Sequence, residues 1–64
     1  MKIHAVEDDR LLVEARTWGT DEDGEMVEIV QLVVERIRGD QLALAEFFPP
    51  EALEAALERF AALG

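Results

Sequence analysis

The chain has no cysteine and no tyrosine, and only one histidine, one tryptophan, two prolines and four glycines in 64 residues. Without cysteine there is no disulfide staple, no thiolate nucleophile and no thiolate metal ligand. Hydroxyl side chains are confined to Thr17 and Thr20, and a threonine with one distant histidine gives no triad signal. A lone His4 excludes a multi-histidine zinc site within one chain. Basic residues are equally scarce. Six Lys and Arg face 15 Asp and Glu, a net charge of −9 with pI near 4.3. Phosphate binding needs a basic patch, so nucleic acid is not an expected partner, and anionic membrane surfaces are disfavoured for the same reason. No apolar run reaches about 18 residues, the length of a membrane-spanning helix. The opening Met1-Lys2-Ile3-His4 lacks the apolar core of a signal peptide. The expected compartment is therefore the cytoplasm.

What is present is half apolar, too hydrophobic a composition for disorder. One domain is the ceiling at this length. A chain of this size buries only about 60% of its unfolded surface when it folds alone. Small scaffolds need a staple, and with disulfides excluded the candidates are a metal or a partner subunit.

Turn signals divide the chain. Lys2 to Val6 alternates as a short strand, and Glu7-Asp8-Asp9-Arg10 breaks it. Leu11 to Gly19 and Glu25 to Arg38 carry the β-branched and aromatic residues of strands. Between them Thr20 to Gly24 is a turn, with Gly24 placed to supply positive φ. Gly39-Asp40 closes a tight turn into a fourth strand, Gln41 to Phe48, which Pro49-Pro50 ends because proline cannot donate to a ladder. A helix follows. Pro50 and Glu51 suit its first turn, and Gly64 is a candidate C-terminal cap. Leu53, Ala56, Leu57, Phe60 and Leu63 form one apolar stripe, with Leu57 at its middle. Trp18, Phe47, Phe48 and Phe60 are read as core rather than as a stacking platform.

Short connections favour sequential antiparallel pairing. The expected fold is α+β, a four-stranded antiparallel meander followed by one C-terminal helix. Uniform registers place His4, Val13, Val33, Glu46 and Phe48 on one face, and Ile3, Leu12, Glu14, Val34 and Phe47 on the other. A one-residue change near the first turn would move His4 to join Glu14. Both faces are largely apolar, and one helix covers only one. The other would be a larger exposed patch than soluble monomers tolerate, so the chain is expected to form a homodimer or higher even oligomer.

The stretch Gly39-Asp40-Gln41-Leu42-Ala43-Leu44-Ala45-Glu46-Phe47-Phe48-Pro49-Pro50-Glu51, continuing through Leu53 and Ala55-Ala56-Leu57-Glu58-Arg59-Phe60, resembles the closing strand and last helix of SnoaL-like proteins. These belong to the nuclear-transport-factor-like superfamily of cone-shaped α+β barrels, which includes polyketide cyclases and ketosteroid isomerases. Ile3-His4-Ala5-Val6 and Arg10-Leu11-Leu12-Val13 through Gly24 are similar to the preceding strands. The resemblance makes residues 1–64 a single half-domain, half of a cone-shaped barrel completed by oligomerisation. It carries over neither a catalytic residue nor an isomerase or cyclase activity, because the helices that roof the family's cavity have no counterpart in this sequence.

The acids fall into two groups. Glu7-Asp8-Asp9 and Asp21-Glu22-Asp23 sit in turns and Glu51, Glu54 and Glu58 lie on the outer helix face, where solvation suffices. Glu14, Glu28, Glu35 and Glu46 interrupt apolar strands, and a carboxylate there is costly unless paired or coordinating a cation. Arg16 and Arg36 offer ion pairs, a purely structural use. The functional use is a divalent cation, zinc or manganese, held by His4, Glu14 and Glu46 across subunits, with His4 and Glu46 as catalytic groups. The expected function is metal-assisted hydrolysis of a small-molecule ester or phosphoester, the metal offsetting the −9 charge. The alternative is a non-catalytic remnant that dimerises or binds an apolar ligand.

Overall fold

In the computed structural model, which describes residues 1–63, every expected strand forms. They are β1 (Lys2–Glu7), β2 (Arg10–Thr20), β3 (Met26–Arg38) and β4 (Gln41–Phe48), followed by a 3-10 turn (Pro50–Ala52) and helix α1 (Leu53–Ala62). The sheet order is β1-β2-β3-β4, antiparallel throughout. The proposed cap Gly64 lies outside the described residues.

The turns follow their chemistry. Gly24 has φ +80 and Gly39 φ +63, a region that L side chains rarely enter. In the β2–β3 turn the Asp21 carboxylate accepts hydrogen bonds from the backbone N–H of Asp23 and Glu25, both at 2.9 Å. One member of that acidic run, though exposed, therefore also orders the turn.

β2 and β3 pair without interruption from Arg10↔Arg36 to Thr20↔Met26. β1 and β4 flank only one end of this hairpin, from Lys2↔Glu14 on one side and Leu32↔Phe48 on the other. Ala15–Thr20 and Met26–Gln31 therefore project beyond the four-stranded body as a two-stranded arm. Trp18 lies on this arm and is 65% exposed, which corrects its expected core position. It sits past the stretch of sheet that the helix covers.

Two irregularities overturn the uniform registers. β1 shifts between Ile3 and Ala5, leaving His4 as the extra residue. The β3–β4 ladder shifts between Arg36 and Ile37, leaving Ala43 as the extra residue on β4. Such bulges insert one residue and change which face the following side chains occupy. The row Ala5-Leu12-Val34-Glu46 now faces the helix, while Ile3-Val13-Val33-Phe47 runs across the opposite face. Glu46 and Phe47 have exchanged faces relative to expectation. Phe47 is 62% exposed instead of buried.

The core is Leu12, Leu32 and Val34 from the sheet with Ala56 and Phe60 from α1, flanked by Ala5, Phe48, Leu53 and Leu63. Leu57 corrects the stripe. It is 42% exposed, because Ala56 and Phe60 define the line of closest approach and turn Leu57 onto the flank. The helix is anchored at its C-terminal end by two arginines that are cross-strand neighbours. Buried Arg10 donates from Nη1 to the Phe60 carbonyl at 2.8 Å, with its guanidinium 5.0 Å from the Phe60 ring centroid. Arg36 donates from Nη2 to the Leu63 carbonyl. These cations meet carbonyls that α1 leaves without intrahelical partners.

Two truncations separate the buried from the flanking helix position. Phe60→Ala is expected to lower unfolding stability by about 3–5 kcal/mol, and Leu57→Ala by about 1 kcal/mol or less, because only the first opens a core cavity. Urea unfolding monitored by circular dichroism reads the difference. Equal losses at the two sites would refute the helix orientation.

Candidate functional site

The three residues expected to gather a cation all turn toward the helix side of the sheet. Glu14 stands two residues from Leu12 on β2, pairs with Leu32 and so shares the face of the core. The β1 bulge brings His4 to it, with Nε2 3.7 Å from Glu14 Oε1. That nitrogen is buried and makes no hydrogen bond. The other carboxylate oxygen, Oε2, accepts from Arg16 Nε at 3.2 Å. Arg16 also donates from Nη1 to Glu28 Oε1 at 2.8 Å, across the hairpin. His4, Glu14, Arg16 and Glu28 thus form one chain of polar contacts at the base of the arm.

Glu46 is elsewhere. The β4 bulge places it beside Val34, where α1 delivers Arg59. Oε2 accepts from Nε and Oε1 from Nη2, both at 2.8 Å. This is the paired-fork geometry in which guanidinium and carboxylate bind most tightly. Arg59 holds the Glu46 carboxyl below its usual range. The hydrogen bonds are the main cause, partial burial works against them, and the guanidinium charge adds to the lowering. Arg59 is held above its own usual value by the same contact.

The structure therefore brings His4 and Glu14 together and gives Glu46 to a different partner. Among the described residues, no three His, Asp or Glu side chains gather closely enough to hold a metal ion. Glu14 and Glu46 each have a guanidinium in hydrogen-bond contact, so a cation would have to displace an arginine at either. Glu28 is likewise engaged. Of the two arginines expected to pair with strand acids, Arg16 does so, while Arg36 serves the helix terminus and lies 3.5 Å from Asp9.

Sequence reasoning missed Arg59 as the partner of Glu46. Its signal was present: Arg59 is the one basic residue on α1, next to Phe60. Only the bulge on β4 connects it to Glu46, and that bulge leaves no mark in the hydrophobic pattern.

The opposite face carries no polar cluster. Along it, the strand residues are apolar except for Thr17, Gly19, Gln31 and Glu35. Glu35 is its single charge in a chain with a net charge of −9. At the two ends of its central row, Ile3 is 56% and Phe47 62% exposed.

No protein-family model, curated protein or solved structure matches the chain. No helix among the described residues is long and apolar enough to cross a membrane.

The Glu46–Arg59 contact makes a signed pH prediction. A carboxyl whose folded-state pKa is lowered contributes stability that is complete above the unfolded value, about 4.3 for glutamate. The contribution disappears as pH falls through the lower folded value. Glu46→Gln is therefore expected to melt below the parent at neutral pH, with the gap closing in acid. Thermal melts across that range check this. A gap that stays constant with pH would show that the pair does not act through its charge.

Proposed function

We propose that this chain is a non-catalytic, self-associating module whose uncovered sheet face docks a second copy of itself. The observation that carries this reading is the charge distribution. The helix side holds Glu14, Arg16, Glu28, Glu46 and Arg59 in ion pairs, whereas the other face presents Glu35 as its single charged strand residue. Two copies at −9 each repel one another in most orientations. On this face they meet without stacking like charges. A two-fold arrangement also lets the same patch serve as both donor and acceptor surface.

The dimer supplies the layer that the half-barrel lacks, which agrees with the SnoaL-like half-domain that the sequence resembles. Metal-assisted hydrolysis with zinc or manganese is the weaker reading. His4, Glu14 and Glu46 lie on the helix side, so a face-to-face dimer puts the two sets on opposite outer surfaces instead of joining them.

Light scattering over a concentration series tests the reading. The parent is expected to run at twice 7.2 kDa at micromolar concentrations. Phe47→Glu is expected to run as a folded monomer, since an exposed side chain is changed and the interface gains two carboxylates. A parent that stays at 7.2 kDa with a cooperative melt would refute the module, as would a Phe47→Glu variant that remains dimeric.

A further inference from the structure

The body and the arm differ in how their sheet edges are closed. β1 and β4, the outer strands of the body, each carry a bulge, one of the devices that keep an edge from adding another strand. The arm has two outer edges, Ala15–Thr20 on β2 and Met26–Gln31 on β3. Neither β1 nor β4 reaches them, and the ladder between them runs without a bulge. We infer that the β3 edge of the arm binds an extended, basic peptide segment as an added strand. This goes beyond the self-association reading, which uses the sheet face and not its edge.

Three observations carry it. The first is which backbone groups are free. In an antiparallel pair, residues alternate between exchanging both hydrogen bonds with the partner and turning both groups outward. The Asp21 N–H donates to the Glu25 carbonyl and the Ile37 N–H to the Asp9 carbonyl, and both pairs continue the β2–β3 register. The odd-numbered residues are therefore the bonded ones, and Met26, Glu28 and Val30 turn their N–H and C=O groups away from β2. Among the described residues these groups have no backbone partner. The second is the character of the edge. Met26-Val27-Glu28-Ile29-Val30-Gln31 holds neither Lys nor Pro, which blunt many natural edges. Apolar side chains line both its faces, Met26 and Val30 on the helix side, Val27 and Ile29 on the other. A two-stranded ribbon is marginally stable by itself, and a third strand supports it. The β2 edge is the poorer template, because Gly19 weakens a strand and Arg16 opposes a cation. The third is charge. From Ala15 to Gln31 the arm holds Asp21, Glu22, Asp23, Glu25 and Glu28 against Arg16 alone. Glu28 lies at the middle of the free edge, so a Lys or Arg opposite it in the added strand makes a cross-strand ion pair. A second copy fits this edge badly. Full-length antiparallel pairing of two such edges matches Met26 with Val30 and sets Glu28 directly against Glu28, a destabilising arrangement.

Two capped heptapeptides test this. Both alternate threonine and valine around a central residue, lysine in one and glutamate in the other. The lysine peptide is expected to change the fluorescence of Trp18, the chain's one tryptophan, which pairs with Glu28 across the arm. It is also expected to slow amide hydrogen exchange, read by nuclear magnetic resonance, at Met26, Glu28 and Val30. The glutamate peptide is expected to bind at least about fivefold more weakly. Glu28→Lys, with its circular dichroism spectrum preserved, is expected to reverse that order. A lysine peptide methylated at its central backbone nitrogen lacks the donor that faces Glu28 and is expected to lose binding, since main-chain hydrogen bonds supply the affinity of an added strand. No protection of the three amides at millimolar lysine peptide overturns the proposal. So does equal affinity of the two peptides for the parent, an order that Glu28→Lys leaves unchanged, or full binding of the methylated peptide. Protection of the same amides that rises with protein concentration in the absence of peptide assigns the edge to a second copy and overturns the basic partner.

Discussion

The fold depends on Arg10. It is the one buried charged residue among the described residues. Its guanidinium donates to the Phe60 carbonyl, lies against the Phe60 ring, and sits 3.3 Å from Glu7 across the first hairpin. A buried guanidinium is tolerable only when its donors are satisfied. Here the satisfaction comes from the end of a helix, 50 residues further along the chain. That contact fixes where α1 ends on the sheet, and Arg36 beside it reinforces the same end. Once the end is fixed, Phe60 and Ala56 fall over Leu12 and Val34. The choice of covered face, and therefore of uncovered face, follows from it.

A helix of ten residues spans about 15 Å. It covers the middle of a four-stranded body and nothing of the arm. The uncovered face stays accessible because no second helix exists among the described residues to occupy it. Val13 and Val33 are nevertheless buried. The exposed apolar residues of this face lie around them, at Ile3, Val6, Leu42 and Phe47 on the outer strands and Ile29 on the arm.

Element types and order were legible because the signals were local. Pro49-Pro50 stops a strand whatever the tertiary context, and Gly24 and Gly39 mark turns that need positive φ. The faces of β2 and β3 were legible too, since a short turn joins two long strands whose ladder runs without a bulge. The faces of β1 and β4 were not. A period-2 pattern tells which residues share a face only while the ladder is regular, and each outer strand contains one extra residue. His4 and Ala43 look like ordinary alternating positions in the sequence. The apolar stripe on the helix was ambiguous for a related reason. Leu57 fits a 3.6-residue period as well as Ala56 does, and only the close approach of a small side chain to the sheet decides between them. Of the candidate site, the pairing of Arg16 with strand acids was legible, while the contact between Glu46 and Arg59 depended on the bulge.

The two bulges have the same consequence on opposite edges of the sheet. Were the β4 ladder to continue from Ile37↔Leu42 without the extra residue, Glu46 would pair with Val33 and face away from the helix. Phe47 would lie beside Leu32, under it. Were β1 to continue from Ala5↔Leu12 unshifted, His4 would take the place of Ile3 beside Val13. Each bulge thus withdraws a polar side chain from the uncovered face and supplies an apolar one. Each withdrawn group finds a partner on the helix side, Glu46 with Arg59 and His4 beside Glu14. A bulge disrupts a ladder locally, and here the two disruptions together move His4 and Glu46 to the helix side and complete the row Ile3-Val13-Val33-Phe47. The near-neutral face of this strongly acidic chain is therefore a product of register, set by two residues whose side chains do not contribute to it.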